Sequence, residues 1–193
     1  MFGMIRNSLF GGTEIRPCQT LSSETKGDFS YEVRKYEPAK YASVTVTGKP
    51  FDEASGEGVL KLLKYVGGSN EQGVGMGMTA PVTIRAHRGD QGGLQPGVLV
   101  QIRIPSKYQE EPPRPTDQSI TVQHQEGFTV YSTHFGGYAK EADWVEHAGN
   151  LCAALGEQAA YHREHFLCAG YDPPMKPLGR RNEVWLVRQE PPE

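Results

Sequence analysis

Two hydrophobic periods alternate along this chain. Between Tyr41 and Thr47, Ala42, Val44 and Val46 alternate with Ser43, Thr45 and Thr47, the period of a half-buried strand. Val98–Ile104 alternates in the same way, with Val98, Val100, Ile102 and Ile104 on one side. Tyr31–Tyr36 reads as a further strand, and so does Met78–Ala86, where Pro81 argues for an edge or a bulge. Phe51–Val66 instead keeps helical spacing and stops at Gly67 and Gly68. The order then repeats. Ile120–Gln125 and Phe128–Phe135 read as strands and Tyr138–Leu155 as a helix, with Glu141 and Asp143 in its first turn, where the helix dipole favours negative charge. His165–Gly170 and Glu183–Arg188 close the series.

Each half therefore reads strand, strand, helix, strand, strand. A faint echo, GKPFDEA at Gly48–Ala54 against GGYAKEA at Gly136–Ala142, falls at the same place in both. Neither half buries its sheet well alone, so the pattern predicts one domain with internal pseudo-two-fold symmetry. The fold class is α+β: a twisted antiparallel sheet carrying one helix per half. The expected organisation is a loosely attached leader over residues 1–26 and a single domain over 27–193. Its halves, 27–105 and 120–190, are joined by the proline-rich, aperiodic segment 106–119.

Composition narrows the function classes. The 193 residues carry 20 Lys and Arg against 23 Asp and Glu, a net charge of -3, which gives no general attraction for nucleic acid. No apolar run approaches the length of a membrane helix, and Met1–Phe10, with Arg6 in its middle, does not read as a secretory signal. Cys18, Cys152 and Cys168 form no CxxC pair, and there is no N-glycosylation acceptor, so a reduced cytoplasmic setting is expected.

Motifs for catalysis are missing. There is no phosphate loop of the GxxxxGK[ST] type and no GxSxG elbow. Gly73, Gly75 and Gly77 precede a strand rather than a helix, which suits a flexible strand entry. His162 and His165 offer two metal ligands with no third at a recognisable spacing, so a solvated turn is the better reading. Cys152 and Cys168 sit in apolar periodic stretches and read as core. Nothing here supports an enzyme.

The first helix is more apolar than one core face requires. Phe51, Ala54, Gly58, Val59, Leu62, Tyr65 and Val66 form one arc, while Leu60 and Leu63 fall outside it, on the side that carries Gly56 and Lys64. Gly56 and Gly58 each cost about 1 kcal/mol relative to alanine, which suits close approach of something flat. A broader core face, fraying of the first turns and a self-association patch explain the same residues. The loop Tyr171–Asn182 (YDPPMKPLGRRN) sets Met175 and Leu178 beside Lys176, Arg180 and Arg181, a mixture suited to an amphiphilic anion or to a solvated hairpin loop.

YEVRKY (Tyr31–Tyr36), MTAPV (Met78–Val82), FGGYAKEAD (Phe135–Asp143) and GYDPPMKPLGRRNEVWL (Gly170–Leu186) together resemble the SOUL/haem-binding protein family over nearly the whole chain. The resemblance implies a twisted sheet partly closed like a barrel. It also implies non-covalent binding of haem and metal-free porphyrins such as protoporphyrin IX in an open apolar cleft between the first helix and the loop before the last strand. The tetrapyrrole-binding candidates are Gly56, Val59, Leu60, Leu63, Lys64, Val98, Met175 and Lys176. Lys64 and Lys176 match family positions thought to meet the propionates. Gly56 stands where relatives have arginine, and Val59 and Leu63 where some have methionine. No histidine falls on the second face of the first helix, so binding without a dedicated axial ligand is expected. The implied role is that of a monomeric cytosolic carrier or buffer. The alternatives are a protein-interaction module and a precursor whose leader, similar to Met1–Phe10, is released as a peptide acting on a formyl peptide receptor.

Overall fold

The computed structural model describes residues 13–173 and 175–190. Eleven strands and two longer helices follow one another. They are β1 (Glu14–Ile15), β2 (Gln19–Lys26), β3 (Phe29–Tyr36), β4 (Ala39–Val46), α1 (Phe51–Gly67), β5 (Thr79–Ala80), β6 (Val82–His87) and β7 (Val98–Arg103), then β8 (Ile120–Gln125), β9 (Phe128–Phe135), α2 (Glu141–Leu155), β10 (His165–Gly170) and β11 (Asn182–Val187). The class is α+β, as the hydrophobic pattern predicts.

Nine strands form one antiparallel sheet in the order β2-β3-β9-β11-β10-β6-β7-β4-β8, and β1 pairs with β5 separately. If β3, β4, β6 and β7 are exchanged for β8, β9, β10 and β11, the order from β3 to β8 is simply reversed. The pseudo-two-fold axis therefore lies between β6 and β10. The first strand of each half pairs with the second strand of the other: β3 with β9, and β8 with β4.

Two short links bend this sheet. β3 and β4 stand near opposite ends of the order, yet only Glu37 and Pro38 separate them in the chain; Glu126 and Gly127 likewise separate β8 from β9. A chain spans at most about 3.6 Å per residue, so the far ends of the sheet must curl toward each other. The two links touch: a Cβ on Gly127 would stand 2.7 Å from the Tyr36 carbonyl oxygen, which excludes any larger residue there. The barrel is partly closed, because β2 and β8 remain edges.

α1 packs on β4 and β7, and α2 on β9 and β11, burying Phe51, Leu62, Tyr65, Trp144 and Leu151 with Val44, Val100, Phe166 and Leu186. The opposite, inner face holds Tyr36, Val130, Leu167 and Trp185. Arg16 closes over them, its guanidinium 4.7 Å from the Tyr36 ring centre and 4.5 Å from that of Tyr41. Stacking on aromatic faces suits an arginine held away from carboxylates.

Boundaries differ from the pattern in three places. Residues 14–15 and 19–26, read as part of a loose leader, form β1 and β2. β2 (QTLSSETK) is almost wholly exposed at the sheet edge, so it has no apolar alternation to reveal it. The predicted strand Met78–Ala86 is split at Pro81 into β5 and β6, with a cis Ala80–Pro81 peptide. α2 begins at Glu141, where the Asp143 carboxylate accepts the Lys140 amide at 2.9 Å. The segment 106–119 is docked rather than free: the Tyr65 hydroxyl donates to the Pro113 carbonyl at 2.6 Å, and the Thr116 amide to the Ser69 carbonyl at 3.3 Å.

Candidate functional site

α1 divides into the two faces that its sequence suggests. Phe51, Ala54, Ser55, Gly58, Leu62, Tyr65 and Val66 are buried. Gly56, Leu60 and Lys64 are exposed, with Leu63 and Val59 half-buried beside them. Leu60 keeps 51% of its surface in water. An outward row of Gly56, Leu60 and Leu63 ending at Lys64 is therefore a surface feature and not a wider core face.

The two glycines have different reasons. A Cβ on Gly58 would stand 2.5 Å from Val100 Cγ2, so the helix lies on β7 too closely for a side chain. Gly58 is a packing requirement, which corrects its reading as a place for a flat ligand. A Cβ on Gly56 meets nothing within 4 Å, so that position is open to solvent. Val98 is only 4% exposed in the core, and the structure does not bring it to the outward row.

Met175 and Leu178 project from the β10–β11 connection, 90% and 81% exposed. The loop beneath them is tied together by its own polar groups. Asp172 accepts the Lys176 ammonium at 3.0 Å and the Arg181 amide. Burial opposes ionisation of Asp172, but these two contacts outweigh it and hold its carboxyl below the ordinary value. Arg180 donates to the Lys176 carbonyl at 3.1 Å and lies 4.1 Å over the Tyr138 ring, whose hydroxyl donates to that same carbonyl.

Glu183, which the sequence reading passed over, holds both ends of this loop. It is 1% exposed on the inner face of the barrel. Its carboxylate accepts two bonds from Arg34 (2.6 and 3.1 Å), one from Trp185 Nε1 (2.9 Å), one from the Tyr171 hydroxyl (2.8 Å) and one from Arg181 Nε (2.7 Å). Burial alone raises the pKa of such a group. Here the Arg34 guanidinium, with Trp185 and Tyr171, reverses that and brings it down to about 2. Tyr171 and Arg181 bracket the loop, so a buried carboxylate fixes where Met175 and Lys176 leave the sheet. The only signal in the sequence was a lone acid in an apolar strand, NEVWLV.

The pseudo-two-fold relates the β10–β11 loop and α1 to the β6–β7 connection and α2. In the latter pair, the Leu94 amide donates to Glu141 Oε2 at 3.3 Å. An open groove of about 590 Å³ lies there, lined by Asp52, Gly93, Lys140, Ala142, Val145 and Glu146. The helices meet at their first turns, where Asp52 Oδ1 accepts the Glu141 amide at 2.9 Å. Tyr138 links the β10–β11 loop to the start of α2, and Asp52 links α2 to α1. The residues Met1–Phe10, bearing the released-peptide reading, lie outside the described residues.

Comparison with known proteins bears on the whole chain. A family profile described as SOUL heme-binding protein matches residues 16–187. The chain is 56% identical over 188 residues to Heme-binding protein 1 of Xenopus tropicalis, covering 97% of this chain and 99% of that one. It is 56% identical over 189 residues to Heme-binding protein 1 of Mus musculus, covering 97% of this chain and 100% of that one. Identity to Heme-binding protein 2 of Homo sapiens is 34% over 164 residues, 84% of this chain and 80% of that one. Among solved structures, the EcmrR C-terminal domain superposes with a TM-score of 0.54 at 10% identity, covering 84% of this chain and 99% of that one, a likeness of fold alone. With both the profile and the near-complete relatives in agreement, the chain belongs to the SOUL haem-binding protein family.

Proposed function

We propose that this protein binds haem and related tetrapyrroles non-covalently between the outward face of α1 and the β10–β11 loop, as a cytosolic carrier or buffer. The observation that carries this reading is the outward row of Leu60 and Leu63, flanked by Val59 and Lys64, on a helix that already buries a full core face. A porphyrin has two broad apolar faces and an anionic edge. Aliphatic side chains suit the faces, and Lys64 and Lys176 suit the propionates. Met175 and Leu178, almost fully in water, lose the most exposed apolar surface if a ligand covers them.

The donor set argues for binding by surface rather than by iron ligation. None of the six histidines lies on α1, and His147 on α2 is stacked on Phe135, ring centres 3.8 Å apart. Haem bound here brings its own redox and ligation chemistry. The residues of this chain hold it, orient its carboxylates and limit its exposure. Lys176 is paired with the largely buried Asp172 carboxylate, so a propionate exchanges one carboxylate partner for another, and a solvent-exposed lysine–propionate pair contributes about 0–1 kcal/mol. Affinity therefore rests on the apolar contacts.

The test is titration of the purified protein with hemin and with protoporphyrin IX, followed by the Soret band and by quenching of Trp144 and Trp185. Saturable one-to-one binding of both supports the proposal. Binding of hemin alone overturns the ligation-free part, and binding of neither overturns the function.

A further inference from the structure

A second cluster lies on the inner face of the sheet, away from the helices. β6 and β10 pair there with His165 opposite His87 and Leu167 opposite Arg85. The His87 and His165 ring centres are 5.8 Å apart, and those of His162 and His165 are 5.5 Å apart and stacked. Glu164 is the nearby carboxylate, with Oε1 3.5 Å from His162 Nδ1 and 3.3 Å from His165 Nδ1. Among the described residues, no group of His, Cys, Asp and Glu is arranged to hold a metal ion.

The arginine is what distinguishes this place. Three buried arginine Nε atoms, in Arg16, Arg85 and Arg180, have no hydrogen-bond partner among the described residues. Arg16 is held by aromatic rings. Arg180 spends its other nitrogens on the Pro173 and Lys176 carbonyls. Among the described residues, the Arg85 Nε has neither kind of support, although Arg85 is half-buried in the middle of a sheet. The neighbouring cations are turned elsewhere. Arg88 donates to the Arg163 carbonyl and contacts Cys152, and Arg163 donates to the Tyr161 hydroxyl. The Arg85 Nε is buried with no partner among the described residues, and the fork geometry of a guanidinium matches phosphate.

We propose that Arg85, with His87, His162 and His165, forms an anion site for a phosphate group, independent of the tetrapyrrole surface. Arg85 supplies the fixed charge and the imidazoles supply donors. Burial, then the Arg85 charge, lowers the pKa of His165, against the pull of Glu164. A bound phosphate reverses the second of these effects and favours the imidazolium. The charged groups facing His165 are Arg85 and His87 from β6, and His162 and Glu164 from the turn before β10. Glu164 is exposed, and among the described residues it is the carboxylate that acts on His165 and opposes the anion.

The experiment is a titration with inorganic phosphate and, separately, phenyl phosphate, at constant ionic strength held with chloride. Histidine Cε1–H resonances and calorimetry are the readouts. Expected is saturable movement of the His87, His162 and His165 signals without His124, His134 and His147. Arg85→Gln weakens binding by about tenfold or more, the usual weight of a bond to a charged group, and Arg85→Lys by less. His87→Gln, on an exposed side chain, gives a second variant should Arg85→Gln fail to fold. Preference between the two probes distinguishes a free ion from a phosphate ester. The proposal is overturned if neither probe moves the three signals at millimolar concentration, if all six histidines move alike, or if folded Arg85→Gln or His87→Gln binds as the parent does. Hemin affinity unchanged by phosphate confirms that the two sites are separate, whereas direct competition overturns that independence.

Discussion

Two places equivalent under the pseudo-two-fold are lined in opposite ways. Between α2 and the β6–β7 connection, the groove carries Asp52, Glu141 and Glu146 against Lys140 alone. The outward positions of α2 there are small or polar: Ala142, Glu146, Gly149, Asn150 and Ala153. On α1 and the β10–β11 connection, the outward residues are Leu60, Leu63, Met175 and Leu178 with Lys64 and Lys176. The backbone is repeated, and the chemistry is not. Symmetry supplies two frames, and side chains that cost little in stability decide which one is apolar and cationic.

The comparison can be broken at its foundation through Glu183, where the largest effect is expected. Glu183→Gln removes the buried charge partner of the Arg34 guanidinium and leaves it only the half-exposed Glu32 carboxylate at 2.7 Å, and breaking a buried pair costs up to about 3–5 kcal/mol. Urea denaturation measures this. The carboxyl of Glu183 titrates at about 2 in the fold, below its unfolded value. Its stabilisation is complete above about pH 5 and is lost as the pH falls through that interval. The mutant should lose this acid dependence, and an unchanged pH profile would show that the network does not support the loop.

On the outward face of α1, Leu63→Asp should weaken porphyrin binding by about a hundredfold, because it removes apolar contact and puts a carboxylate near the proposed place of the propionates. Its unfolding midpoint should change little. The mirror variant Ala153→Asp on α2 should leave porphyrin affinity unaltered. Equal losses from both would dissolve the asymmetry.

Gly58→Ala should cost about 1–3 kcal/mol by overpacking against Val100, whereas Gly56→Ala should stabilise α1 by about 1 kcal/mol. Thermal melts of the two side by side separate a glycine that packing demands from one that it does not. The smallest effect belongs to Gly56→Arg. Its Cβ meets open space, and one more exposed cation near the propionates should raise affinity by up to about fivefold. Weaker binding in that variant would place the anionic edge elsewhere.

The repeat of strands around two helices and the second face of α1 were both legible in the sequence, because period and side-chain type are local properties. Leu60 and Leu63 stood out against a core arc that was already complete. What pairing decides was not legible. β2 has no buried face to impose an alternation, so QTLSSETK reads as loop. Gly58 is required by Val100 beneath it, a residue of a distant strand. Glu183 is a single acid whose meaning depends on Arg34, 149 residues away. The Pro-rich segment lacks period because it docks through its carbonyls, as at Pro113, and not through a hydrophobic stripe.

The exchange of first strands between halves has a consequence for assembly. β3 finds its partner in β9 and β8 finds its partner in β4, so neither half satisfies its own backbone until the other arrives. Folding depends on contacts between distant stretches of chain and belongs to the slower topologies. A chain severed between residues 106 and 119 should yield two pieces that are unstructured apart and regain the fold together, with a rate that depends on concentration. In that sense the protein is an obligate dimer written as one polypeptide, and the connection between its halves supplies the effective concentration that a separate partner would lack.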